Sequence, residues 1–381
     1  RSEGARLVRG ELVNPENRPR SEFVYVGRKK LQESLLRLDP GHSAFRRSQF
    51  YKKIHRKTYY TPHIGFSEHY DGNQKLQPLL GLYIYNAVEG ATRKVHSLSV
   101  TQTLSPAMLW EAYRPRLDEG LPVVTHFDYG SDSSIIQYAL VDIYGQLEAE
   151  GTADSRFPVL RTYSIYNNRS EYFWKPSWKM VFNPVRGCCE MLMTGGEWHP
   201  SWPTEKFCMS SVFMPVVRRA MELRIGSWNH HYMEKAKVTP APSYDRGAKL
   251  YDLSRIKIKS TAELVQMYNE SHPRSKGVLM PEDVRLGNDM EDPLEENRGL
   301  CSLRMQCFDR HFGHTVEEVW REVNKQNIDS ILQGYRLFSN LTHHIVDLPE
   351  YESYEAYEEA AETPLGRRCR SLIIAEAEAM D

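Results

Sequence analysis

An α+β fold is predicted for this chain: a mixed strand and helix core, then a mostly helical C-terminal region, preceded by an extended N-terminal arm. Three observations predict it. Strand-like segments cluster between residues 80 and 193, helical periodicity dominates after about residue 204, and the first 21 residues are polar, rich in Arg and interrupted by Pro15 and Pro19.

The elements follow in order. Residues 27–38 predict a short helix, with Leu31, Leu35 and Leu38 at helical spacing. Strands are predicted at Leu80–Tyr85, Val95–Leu104, Leu121–Phe127, Val159–Tyr166, Tyr172–Phe182 and Cys188–Met193. A helix start at Ser105-Pro106 places proline in the tolerated first turn. Ser131–Ser134 offers N-caps to a helix whose stripe is Ile136, Leu140, Ile143 and Leu147, stopping at Gly151. Val216–Ile225 reads as a helix ended by Gly226. Ser260 and Glu263 form a capping-box pattern, and so do Thr315 and Glu318. The second opens one longer helix with Val316, Val319, Val323, Ile331 and Leu332 on its buried side and Trp320 beside them. The resulting division is 1–21 extended polar arm, 22–60 basic helical segment, 61–236 α+β core, and 237–381 helical region with an acidic tail.

Of the 381 residues, 40% are hydrophobic and 26% charged, a globular composition. The net charge of −1 hides an asymmetry. Residues 1–57 hold 15 Lys/Arg against 6 Asp/Glu, and residues 345–381 hold 10 acids against 3 bases. Such blocks make contacts more often than cores. The longest uncharged run, Val95–Trp110, is too short and too polar to span a bilayer. Six cysteines in a chain of this size, with Cys188 and Cys189 adjacent, argue for free thiols and a reducing compartment.

Sites of chemistry are sparse in the linear pattern. Cys301, Cys307, His311 and His314 have thiolate and imidazole donors, but their spacing matches no standard zinc motif, so no metal is expected. His230-His231 with Glu234, and His343-His344 with Asp347, lack the intact zincin spacing. Gly130–Ser134 precedes a helix and could cradle a phosphate, although Asp132 would repel one. Cys188 and Cys189 are the candidate nucleophiles if a remote histidine joins them in space. Four of the seven tryptophans (Trp174, Trp178, Trp198 and Trp202) fall in residues 172–202, where interface and core readings compete. The segment Phe45–Tyr60 interleaves Arg46, Arg47, Lys52, Lys53, Arg56 and Lys57 with aromatic residues. It is expected to contact an acidic protein neighbour or an anionic lipid surface rather than RNA.

No catalytic residue or cofactor is expected from these patterns, and nucleic acid is an unlikely partner at near-zero net charge. The Arg-rich polar residues 1–20, the absence of a starting Met, the lack of a spanning helix and the lack of enzyme motifs resemble lineage-specific supernumerary subunits of protist mitochondrial ATP synthases and respiratory complexes. The resemblance implies a non-catalytic accessory subunit on the matrix side of the inner membrane, partnered by other subunits. The alternatives are a mitochondrial ribosomal or RNA-associated protein, and a hydrolase-like enzyme whose site is assembled only in space.

Overall fold

The computed structural model describes residues 61–153, 158–162, 167–234, 236–287, 289–312 and 316–344, with a few helical positions between 30 and 37. The arm, most of the basic segment and the acidic tail lie outside these residues.

Five strands form one sheet: β1 Ser67–Asn73, β2 Tyr83–Glu89, β3 Val95–Thr101, β4 Val124–Phe127 and β5 Val159–Arg161. Their order is β3-β2-β1-β4-β5. β1 pairs antiparallel with β2, and β2 with β3, so short connections suffice there. β4 runs parallel to β1, and β5 parallel to β4. Parallel neighbours need crossovers, which helices supply.

The helices, in chain order, begin with α1 Gln77–Leu80, α2 Pro106–Tyr113 and α3 Ser134–Ala149. α4 Asn168–Ser177, α5 Asn183–Thr194 and α6 Pro203–His230 follow β5. α7 Pro240–Gly247, α8 Thr261–Ser271, α9 Arg298–His311, α10 Val316–Lys325 and α11 Asp329–His344 complete the set. They cover both faces of the sheet. On one face, Tyr70, Tyr85, Ala87 and Phe127 pack with Trp110 of α2, Ile136, Leu140 and Ile143 of α3, and Leu264 of α8. On the other, Ile84, Val88 and Val100 pack with Trp174, Cys188 and Phe213 from α4–α6, in a core that continues to Val319, Val323 and Phe338 of the C-terminal helices.

The α+β expectation is met, with the sheet drawn from the first half and helices dominating after it. Ser105 caps α2 by accepting the Met108 N–H, and Ser260 and Glu263 complete a capping box on α8. The α3 stripe is buried as its periodicity requires. Its N-cap residue Ser133 makes no side-chain cap bond, however, and accepts instead from the Gln137 amide at 2.7 Å.

Four expectations are corrected. Tyr172–Phe182 and Cys188–Met193 are helical, not extended. Val185, Cys188, Cys189 and Leu192 recur at helical spacing and all are buried, which overrides the strand preference of cysteine and aromatics. Pro176 interrupts α4, and the chain answers with one wide turn at Trp178–Phe182. α6 runs through Gly226 to His230, because Asn229 and Trp228 fasten its last turn to β3: the Asn229 amide bonds both Val95 N–H and C=O at 2.9 Å, and the Trp228 indole donates to Arg93 O at 2.8 Å. The single helix expected after Thr315 is two, α10 and α11, separated where Gln326 takes a left-handed φ of 62°.

The first strand went unread in the sequence because it is polar. Its alternation puts Glu68, Tyr70 and Gly72 on the α2/α3 face and Ser67, His69, Asp71 and Asn73 on the other. Buried Glu68 accepts from Tyr113 Oη at 2.6 Å and Arg116 Nε at 2.8 Å. Burial alone would raise its carboxyl, but Arg116, with His96 and Tyr113 adding, holds it below the usual carboxylate range. Glu68→Leu strands the buried Arg116 charge, and a loss of about 3–5 kcal/mol is expected in chemical denaturation; a loss under 1 kcal/mol would show the pair to be dispensable.

Candidate active site

β1 and β4 are adjacent, parallel and in register, with His69 opposite His126. Two residues further along each strand direction stand Asp71 and Asp128, so both carboxylates leave the same end of the sheet. Asp71 lies inside β1, whereas Asp128 is the first residue beyond β4. A third carboxylate, Glu171, comes from the first turn of α4, the helix that follows β5, and is exposed.

α4 is fastened directly to β1. The Asn167 amide donates to Tyr70 O at 2.9 Å, while its oxygen meets His69 Nδ1 at 2.8 Å. Ser170 Oγ donates to His69 O at 3.1 Å. One turn on, the Trp174 indole N–H donates to Asp71 Oδ2 at 2.9 Å. These contacts set the first turn of α4, and so Glu171, over the strand that carries Asp71.

The loop after β4 is held as firmly. Asp128 Oδ1 accepts the Gly130 N–H at 3.1 Å. Asp132 Oδ2 accepts from Tyr85 Oη at 2.5 Å. The Tyr85 ring lies across β1 at Gly72, where an added Cβ would stand 2.4 Å from ring atom Cε1, so only glycine admits this arrangement. Asp132 is thereby a fourth carboxylate at the rim.

The electrostatics are those of uncompensated negative charge. Burial pushes Asp71 up to about 7; the Trp174 hydrogen bond opposes this, and the charges of Asp128 and Glu171 add to it. His69 and His126 stack with ring centroids 4.4 Å apart and planes within 4°. Burial and the neighbouring His126 depress His69 to about 3, and burial depresses His126. Both rings are therefore neutral at physiological pH and do not offset the acids. The carboxylates sense one another without closing on a common point: among the described residues no three His, Cys, Asp or Glu side chains converge to hold an ion.

The candidates read from the sequence fall elsewhere. Arg46, Arg47, Lys52, Lys53, Arg56 and Lys57 lie outside the described residues, as does His314, and the side chains of Cys307 and His311 are likewise undescribed. The Cys301 thiol donates to Leu294 O at 3.0 Å. His230 and His231 turn their Nδ1 atoms to the Gly226 and Trp228 carbonyls at 2.8 and 2.7 Å. Cys188 and Cys189 are buried and their thiols pushed up, Cys188 to about 12, which removes the thiolate a nucleophile needs. Trp174 and Trp198 are core residues, while Trp202 is 58% exposed. The Gly130–Ser134 turn belongs to the site, but it presents Asp132 beside Asp128 rather than a phosphate cradle. No helix among the described residues is long and apolar enough to cross a membrane.

A sheet ordered 3-2-1-4-5, with acids on its first strand, after its fourth and on the helix after its fifth, is the arrangement of a ribonuclease H-like fold. Residues 60–262, more than half of the chain, match the family model described as an integrase core domain, and the chain belongs to that family. No curated protein matches it. The family overturns the expected accessory subunit of ATP synthase, the expected lack of catalysis and the exclusion of nucleic acid as a partner. The site leaves no contiguous motif, because its acids are 57 and 43 positions apart and reach one end of the sheet only through β1–β4 pairing and the return of α4.

Two outcomes are expected. Below about pH 4 Asp71 is protonated folded and unfolded alike; between about 4 and 7 only the unfolded chain loses the proton, so the folded state is penalised, by at most about 4 kcal/mol above pH 7. Asp71→Asn should therefore raise the metal-free melting temperature at pH 8 and leave it unchanged near pH 4; equal melting at both would refute the burial. Trp174→Phe removes a donor to the ionised form, so carboxyl NMR titration should place Asp71 above 7, and a lower value would contradict the hydrogen bond's role.

Proposed function

We propose that this chain is a divalent-metal-dependent polynucleotidyl transferase that breaks and joins phosphodiester bonds of DNA. The observation that carries the reading is the gathering of Asp71, Asp128 and Glu171 at one end of the β1–β4 pair in a chain of the integrase core family.

The donor chemistry suits a hard divalent cation such as Mg²⁺ or Mn²⁺, although no three donors among the described residues converge on one point. All the donors are carboxylate oxygens, the preference of these ions. No cationic side chain acts on Asp71, so its ionised form lacks a counter-charge. Asp71, Asp128 and Glu171 would hold the metal; when bound, it would activate an attacking oxygen and neutralise charge on the phosphoryl group.

The chain's own groups do the rest. Trp174 holds one oxygen of the Asp71 carboxylate in place. The His69–His126 stack, being neutral, adds no positive charge of its own beside Asp71. Glu171 lies on the exposed side of α4, and Lys175 and Lys179 follow on the same helix path one and two turns later, also exposed. They are placed to take phosphates next to the reacting one. Tyr129, adjacent to Asp128 and 59% exposed, offers a face on which a base can stack. The six basic residues between Arg46 and Lys57, interleaved with Phe45, Phe50, Tyr51, Tyr59 and Tyr60, have the composition to grip further phosphates and bases.

The test is cleavage and strand transfer on end-labelled DNA duplexes. Activity should require Mg²⁺ or Mn²⁺, vanish with chelator, and fall by about 100-fold or more in Asp71→Asn, Asp128→Asn and Glu171→Gln. DNA affinity should persist in these variants and decline steeply with salt. Activity indifferent to chelator or to all three substitutions would refute the assignment.

A further inference from the structure

Asn86 stands directly across from Asp71. The two are Cα partners in the antiparallel β1–β2 pair. Residues opposite one another in such a pair project to the same face, with Cβ atoms about 4.5–5.5 Å apart. Asn86 is 0% exposed, and neither its amide nitrogen nor its oxygen has a hydrogen-bond partner among the described residues.

Two other buried asparagines at this sheet behave differently. Asn167 uses both ends of its amide on His69 and Tyr70, and Asn229 uses both on Val95. Buried amides are costly to leave unmet, and native interiors leave few of them so. Around Asn86 the neighbours are apolar: its β3 partner Leu98 and the flanking Ile84 and Val88 all belong to the core beneath α4–α6. A leucine there would match its surroundings. The polar side chain that strand pairing places beside the amide is Asp71.

We propose that Asn86 is a positioning residue of the metal site, its amide holding the hydration shell of a divalent cation bound at Asp71. The inference rests on the reading of Asp71 as a metal-holding residue. The chemistry suits an amide better than its alternatives. Its oxygen accepts from metal-bound water, and its NH₂ donates to a water or carboxylate oxygen. Being neutral, it adds no repulsion to a site that already gathers Asp71, Asp128 and Glu171. Groups that act on a metal through its bound waters and ligands alter affinity by about 10–100-fold when removed.

The full-length chain is titrated calorimetrically with MnCl₂ alone, and melted with and without the ion. Asn86→Leu should melt at or above the wild-type temperature without metal, because an unmet amide is replaced by a side chain of similar size. Its Mn²⁺ affinity should fall about 10–100-fold. A normally folded Asn86→Leu that binds Mn²⁺ as the wild type does would overturn the proposal and leave Asn86 as the host of an ordinary structural water. If Asn86→Leu melts lower, Asn86→Asp carries the test: a carboxylate of the same shape should tighten Mn²⁺ binding about tenfold, and unchanged affinity overturns the proposal. Asp71→Asn separates the two levels. Loss of binding in Asp71→Asn with unchanged Asn86 variants refutes the role of Asn86 alone, whereas undiminished binding in Asp71→Asn refutes the site itself.

Discussion

The strand β1 is a buried strand made of polar residues, and the molecule is arranged to satisfy it. Its carbonyls at His69 and Tyr70 receive Ser170 and Asn167, and its carboxylates receive Trp174 on one face and Arg116 on the other. Were those partners missing, each group would carry the desolvation penalty of an unmet buried polar atom. The dependence runs both ways, because the same bonds seat the first turn of α4 over the sheet and bring Glu171 to Asp71.

Two acids three residues apart on β1 show how completely environment decides chemistry. Glu68 and Asp71 are both buried, and burial pushes both carboxyls up. Glu68 meets the Arg116 guanidinium at 2.8 Å and ends below its ordinary range. Asp71 meets a neutral indole and two like charges, and ends near 7. The first is a closed ion pair that stabilises the fold. The second is a buried acid whose ionised form lacks a cationic partner, the condition under which a counter-charge would be favoured.

The reading as an accessory subunit failed for a physical reason. It depended on the absence of contiguous motifs and on near-zero net charge. Carboxylate sites built on a sheet have no contiguous motif, since each acid arrives on a different element. Net charge averages the acidic end of the sheet, a basic N-terminal segment and an acidic tail into −1, although a nucleic acid responds to local field rather than to the sum.

The sequence by itself determined the elements whose stability is local or whose apolar pattern is regular. The capping box at Ser260, the Ser105-Pro106 helix start, the α3 stripe and strand β3 could be read directly, because caps and periodicity act over a few residues, whereas of β2 only Tyr83–Tyr85 falls in the expected Leu80–Tyr85 strand. Only the tertiary structure decided β1, the helical state of residues 172–193 and the placement of Asp71, Asp128 and Glu171 at one end of the sheet. In β1 the buried side chains are polar, so hydrophobic periodicity is silent. Their burial is tolerable only because Arg116, Asn167 and Trp174 arrive from 48 to 103 positions away along the chain.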